Sequence, residues 1–211
     1  MTPGRALPAL VALLAGLASP AAAAAGGASD LSLIEVTPFY GYRFGGDLGD
    51  SQVDDAAAYG LRVGWNLDQH AQIEVIYSIQ RTRLELGSDL FTPAGDDLFD
   101  LDVETWQVGG IYTWGHLREP ARGFVGAAAG VNVFDPDTPE VDGDSRFAFT
   151  LYAGSKLRLS RAVALRLQAG WIITWLESDR DVLCVDGQCV VEGNSDFFNQ
   201  VELSAGVSFG F

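Results

Sequence analysis

Residues 200–211 carry the feature that most restricts what this chain can become. Val201, Leu203, Ala205, Val207, Phe209 and Phe211 alternate without interruption against Gln200, Glu202, Ser204, Gly206, Ser208 and Gly210. Successive side chains of a strand point to opposite faces, so the segment predicts a strand with one wholly apolar face. An apolar strand edge of that kind aggregates in water. Sealed into a barrel within lipid, the same strand has no free edge and needs no water.

Seven further segments repeat the alternation. The first, about 33–44, sets Ile34, Val36, Tyr40 and Tyr42 against Glu35, Thr37, Gly41 and Arg43. The second sets Tyr59, Leu61, Val63 and Trp65 against Gly60, Arg62, Gly64 and Asn66; the third sets Ile73, Val75, Tyr77 and Ile79 against Gln72, Glu74, Ser78 and Gln80. The fourth, about 103–114, sets Trp106, Val108, Tyr112 and Trp114 against Gln107, Gly109 and Thr113, with Ile111 an exception. The fifth has Val125, Ala127, Ala129, Val131 and Val133 on the apolar side, and the sixth Phe147, Phe149, Leu151 and Leu157. The seventh runs from Val163 to Trp175 with Arg166, Gln168, Gly170 and Thr174 on its polar side. Strands need roughly 9–11 residues to cross a bilayer, which is the length that recurs here. The fold class expected is all-β, an eight-stranded antiparallel up-and-down transmembrane β-barrel preceded by a signal peptide.

Alternation does not say which face meets lipid; residue type does. The second face is mostly Gly, Ser, Thr, Gln and Ala, too small and too sparsely charged for a solvated surface. Such residues suit the interior of an eight-stranded barrel, which is just wide enough for side chains to fill. Short turns are expected near 68–70, 115–122 and 160–161, and long polar loops over about 45–57, 84–102, 135–145 and 177–196. Short periplasmic turns and long external loops put both termini in the periplasm. Aromatic residues then form two belts: Tyr42, Trp106, Phe147 and Trp175 toward the outer rim, and Trp65, Trp114 and Phe211 toward the inner one.

Residues 1–25 are expected to be a secretory signal peptide and 26–211 the barrel domain. Arg5 supplies the positive region, Leu7 to Leu17 the apolar core, and Ala21 to Ala25 the small-residue cleavage region. No other window is long and uncharged enough for a membrane helix. Beyond Arg5 the chain carries 12 basic against 28 acidic residues, a net −16. Nucleic acid is excluded as a partner, because phosphate binding needs clustered Lys and Arg. In an exported segment, Cys184 and Cys189 read as a disulfide. Asp186-Gly187 between them favours a tight hairpin, which brings the two cysteines opposite each other at a separation a disulfide tolerates.

Thr105–Tyr112 (TWQVGGIY), Gly123–Gly130 (GFVGAAAG) and Val163–Gly170 (VALRLQAG) resemble the small outer-membrane β-barrel superfamily, the opacity-type and outer-membrane-protein-A-like group. The resemblance covers nearly all of the chain after the signal segment, and it specifies fold far better than activity. It implies insertion by the barrel assembly machinery, with Val207, Phe209 and Phe211 as the assembly signal. It also implies a location in the bacterial outer membrane, among outer-membrane lipid and lipopolysaccharide.

Five charges project to the polar face: Glu35, Arg62, Glu74, Arg166 and Glu202. They are expected to form one lumen network, because an unpaired buried charge costs several kcal/mol. That network reads as a plug holding strand register rather than an ion path. The long loops hold 21 of the 28 acids and offset them only with Arg180. No full metal-ligand spacing appears among them, so neither metal nor cofactor is expected. The resemblance implies that an enzyme of this group would typically use a His near the external rim, whereas His70 and His116 both fall in expected periplasmic turns. The expected function is therefore a noncatalytic, monomeric integral barrel with a structural or surface-interaction role through its acidic loops. A narrow porin-like conduit is the alternative, and a lipid-modifying enzyme ranks below both.

Overall fold

The computed structural model describes residues 32–45, 47–48, 51–85, 98–117, 119–136, 144–176, 183–185, 188–191 and 197–211. The expected signal segment and parts of the four long connections lie outside these. Eight long strands are present: β1 Ile34–Phe44, β2 Ala56–Asn66, β3 Ala71–Glu85, β4 Leu98–Thr113, β5 Ala121–Pro136, β6 Asp144–Arg158, β7 Val163–Trp175 and β8 Phe197–Gly210. Each pairs antiparallel with its sequence neighbour, and β1 pairs with β8, so the sheet closes on itself. Short turns at 67–70, 114–120 and 159–162 join strands at one end, called here the turn end. The longer connections lie at the opposite, loop end. There, Asp47–Leu48 and Ser51–Val53 form a small hairpin whose second strand pairs onto β3, and Leu183–Val185 pairs with Gln188–Val191.

Closure is fixed where the chain ends meet. Leu33 N donates to Phe211 O at 2.8 Å, and Phe211 N donates to Ile34 O at 2.9 Å. Pro38 lies inside this seam and has no N–H to give. The ladder from β1 to β2 runs continuously past it, whereas the ladder from β1 to β8 skips from Val36↔Phe209 to Phe39↔Gly206. Within the gap the side chains take over: Thr37 Oγ1 and Ser208 Oγ hydrogen-bond at 2.8 Å inside the barrel.

The apolar face points outward. Val63, Trp65, Ile73, Val75, Val108, Tyr112, Trp114, Val125, Leu151, Trp171, Val201, Leu203 and Phe209 are all exposed on the exterior. The polar face fills the inside, where Thr37, Arg62, Gln72, Glu74, Gln107, Asn132, Arg166 and Glu202 are buried. No described helix is long and apolar enough to cross a membrane, so any crossing is by strands. Burial of polar groups inside an oily jacket is the arrangement a barrel needs in lipid.

The polarity reverses at the loop end of β3, β4 and β5. There Leu101, Val103 and Phe134 turn inward and join Phe198 and Leu176 as a fully buried apolar cluster. Arg81, Arg83 and Asp135 stand outward and exposed, with Asp102 and Glu104 half-exposed beside them. This corrects the sequence-based bounds, which start the fourth strand near 103 and assign 84–102 to a loop: β3 continues to Glu85 and β4 begins at Leu98. A strand that has left lipid for water must hide its apolar side, so the dyad inverts there and its charges imitate a loop. At 16 residues, β4 exceeds the roughly 9–11 that the hydrocarbon layer requires.

Inside, Ile76, Ile111, Phe124, Ala128 and Tyr152 form a second apolar cluster. Two rings of that cluster pack against glycines of the neighbouring strand. A Cβ added at Gly154 would sit 2.6 Å from the Phe124 ring, and one at Gly126 would sit 2.5 Å from Tyr152. Gly154→Val is therefore expected to cost about 1–3 kcal/mol through overpacking. Urea unfolding in lipid vesicles measures the loss, and an unchanged midpoint would contradict this packing.

Candidate functional site: the closed lumen

The lumen is layered. At the loop end the apolar cluster contains the ring pair Phe134 and Phe198, whose centroids lie 6.1 Å apart at 72°. Directly beneath it are amide and hydroxyl groups: Asn132 Nδ2 donates to Thr174 Oγ1 at 2.7 Å, and Gln200 Nε2 donates to Gln80 Oε1 at 3.2 Å. The charged layers follow.

Arg43 Nε donates to Glu202 Oε2 at 3.0 Å, and Arg62 Nη2 donates to Glu202 Oε1 at 3.3 Å. Arg43 and Glu202 stand directly opposite each other on β1 and β8. The remaining Arg43 nitrogens reach Ser78 Oγ at 2.6 Å and Thr105 Oγ1 at 3.3 Å on β3 and β4, so one side chain spans the lumen. Lower down, Arg166 forms a two-nitrogen fork onto Glu74; its Nη1 contacts Oε1, and its Nη2 lies 3.1 Å from Oε2. Tyr152 Oη also donates to Glu74 Oε2, at 3.1 Å. The guanidinium of Arg62 stacks 4.2 Å from the centre of the Phe39 ring, and that of Arg166 stacks 4.4 Å from Phe124. Nearest the turn end, Lys156 Nζ lies 2.7 Å from Glu35 Oε1 and 3.1 Å from Gln72 Oε1.

All five residues singled out from the sequence, Glu35, Arg62, Glu74, Arg166 and Glu202, thus lie in the lumen, spread over several heights. Arg43 and Lys156 share in the ion pairs and were not in that group. Arg43 was recoverable, because it falls in the same dyad phase as Glu35 and Thr37 on β1. Pairing was less legible. The β2–β3 register sets Glu74 opposite Gly64 and Arg62 opposite Ile76. Glu74 thus lies one diagonal step from Arg62, and its ion pair is with Arg166, which reaches it from β7 across the lumen.

The remaining candidates lie elsewhere. Val207, Phe209 and Phe211 line the exterior at the turn end. The register sets Cys184 opposite Cys189 and Val185 opposite Gln188, while the cysteine side chains fall outside the described residues. His70 sits in the 67–70 turn, where Nδ1 lies 2.8 Å from Thr113 O and the ring stacks on Tyr112. His116 occupies the next turn. Asp68 accepts hydrogen bonds from His70 N and Ala71 N, and these hold its carboxyl below the ordinary aspartate range. Among the described residues, no group of three or more His, Cys, Asp or Glu is arranged to hold a metal ion.

A closed eight-stranded antiparallel barrel with an apolar exterior and an ion-paired interior belongs to the transmembrane β-barrel class. Among solved structures, Neisserial surface protein A is 14% identical, with a TM-score of 0.60 over 85% of this chain and 98% of that one. The outer membrane protein OprG from Pseudomonas aeruginosa is 10% identical, with a TM-score of 0.58 over 86% of this chain and 96% of that one. Both share the small eight-stranded outer-membrane barrel fold. No protein-family model and no curated protein matches the sequence.

Breaking a buried ion pair on one side leaves an uncompensated charge, whereas removing both partners does not. Glu74→Ala is expected to lower the unfolding free energy by about 3–5 kcal/mol, and Glu74→Leu with Arg166→Met to restore most of it. Urea titration in vesicles separates the two. Equal losses from the single and double variants would mean the pair contributes no coupling.

Proposed function

We propose that this chain is a noncatalytic integral barrel of the bacterial outer membrane, with a structural or surface-interaction role carried by its acidic loops. The observation that carries the reading is the double closure of the lumen. An apolar cluster at the loop end and a set of buried ion pairs below it stand in series across the path a solute would take. Both structural neighbours are named as surface or outer-membrane proteins, which supports the location. On the same reading, the turns and chain ends face the periplasm, and the acid-rich loops face outward.

Lipopolysaccharide is the proposed partner of those loops, bridged through divalent cations that carboxylates and phosphates can share. The barrel assembly machinery is the proposed inserting partner, acting on the apolar face that ends in Val207, Phe209 and Phe211. A disulfide between Cys184 and Cys189 is the proposed clip of the last loop. The placement of His70 and His116 at the turn end, far from the outer rim, favours a noncatalytic role. A narrow conduit is the second reading, favoured by the side-chain amides and hydroxyls between the two seals.

Planar-bilayer recording of the folded monomer separates the two, with no discrete conductance steps expected and reproducible steps overturning the sealed-lumen reading. Deleting residues 86–97 is expected to leave heat-modifiable folding intact and to reduce cation-dependent association with lipopolysaccharide micelles. Association that survives both the deletion and chelation with EDTA would remove the acidic loops from the interaction.

A further inference from the structure

At the turn end the lumen opens into a cavity of about 110 Å³, lined among others by Glu35, Gln72, Arg122, Lys156, Arg158 and Arg161. None of the roles above uses it. Its hydrogen bonding is unbalanced in one direction. Lys156 Nζ donates to Gln72 Oε1, which fixes the orientation of the Gln72 amide. Gln72 Nε2 is then left as a buried donor without an acceptor. Arg122 Nη2 donates to Gln69 O, while Arg122 Nε is also buried and without a partner. Lys156 uses two of its three N–H groups on Glu35 and Gln72. In the cavity wall, then, what is missing is acceptors. No side-chain acceptor among its lining residues is buried without a donor.

The charge points the same way. Four cationic side chains line this mouth, Arg122, Lys156, Arg158 and Arg161, against the carboxylates Glu35, Asp68 and Glu119. Glu35 is engaged by Lys156, and Asp68 caps its own turn by accepting from His70 N and Ala71 N. A local excess of positive charge is notable in a chain whose net charge is −15. Unsatisfied buried donors are costly, and a ligand that supplies acceptor oxygens with negative charge offsets both deficits at once.

We infer that this turn-end cavity binds a small oxyanion, a phosphate or carboxylate group, held by Lys156, Gln72 and Arg122. The volume admits one such group or a few waters. Water offers donors as well as acceptors, so an oxyanion matches the imbalance better.

The test is a titration of the full chain, refolded in detergent micelles, with inorganic phosphate and in parallel with acetate. Ionic strength is held constant with chloride. Side-chain amide and guanidinium NMR signals of Gln72 and Arg122 are followed. Saturable shifts confined to these side chains and Lys156 are expected, and the arm that produces them tells phosphoryl from carboxylate ligands. Gln72→Leu, which keeps the Lys156–Glu35 pair, is expected to weaken binding about tenfold or more. Lys156→Met is expected to abolish it; should that variant fail to fold, Gln72→Leu still decides. Shifts that track ionic strength alone, equal shifts of every arginine, or unchanged affinity in Gln72→Leu would each overturn the inference.

Discussion

In lipid, a backbone N–H or C=O has no water to turn to, so the chain must satisfy every one of them itself. Closing β1 onto β8 meets that demand for the whole sheet, and the rest of the architecture follows from it. Once the sheet is a ring, each strand has one face in acyl chains and one in a narrow interior. The outward face must be apolar along the depth of the bilayer. The inward face must pack, because eight strands leave little free volume. Even the local defect at Pro38 is repaired under this rule, with a side-chain hydrogen bond standing where the ladder is interrupted.

Filling so small a lumen with charge is hazardous unless each charge finds a partner. Here carboxylates are shared and forked: Glu202 serves Arg43 and Arg62, and Glu74 takes both Arg166 and Tyr152. Aromatic rings supply the remaining neighbours of the two stacked guanidiniums. The fork from Arg166 on β7 to Glu74 on β3 joins strands on opposite sides of the ring and so ties its wall across the middle. The loop-end apolar cluster does the same work by burial. Ion pairs and a hydrophobic core thus occupy successive heights of one cylinder, and both close it.

Legibility from the sequence followed this division. The membrane-depth part of each strand was readable, because apolar and small residues alternate wherever one face meets lipid. The loop end was not: Leu101 and Asp102 were read as loop, and with Arg81, Val103 and Glu104 they follow the opposite rule, that of a water-soluble barrel. The interior aromatics Phe39, Phe124 and Tyr152 were also missed. They break the polar phase of their strands, and only the glycine on the neighbouring strand makes room for them. Arg43 was visible in phase but gave no local sign that it would reach β3 and β4.

The sequence by itself determined which residues face lipid and which face the interior, because that choice has a period of two and depends only on neighbours along the strand. It also determined the number of crossings, through the spacing of turns. The tertiary structure alone decided which charges meet. Arg166 and Glu74 are 92 residues apart and lie on strands that are not adjacent. Their common height is set by strand stagger around the closed ring, a quantity that no single strand encodes. The cavity at the turn end arises in the same way, from side chains of strands that meet only once the ring has closed.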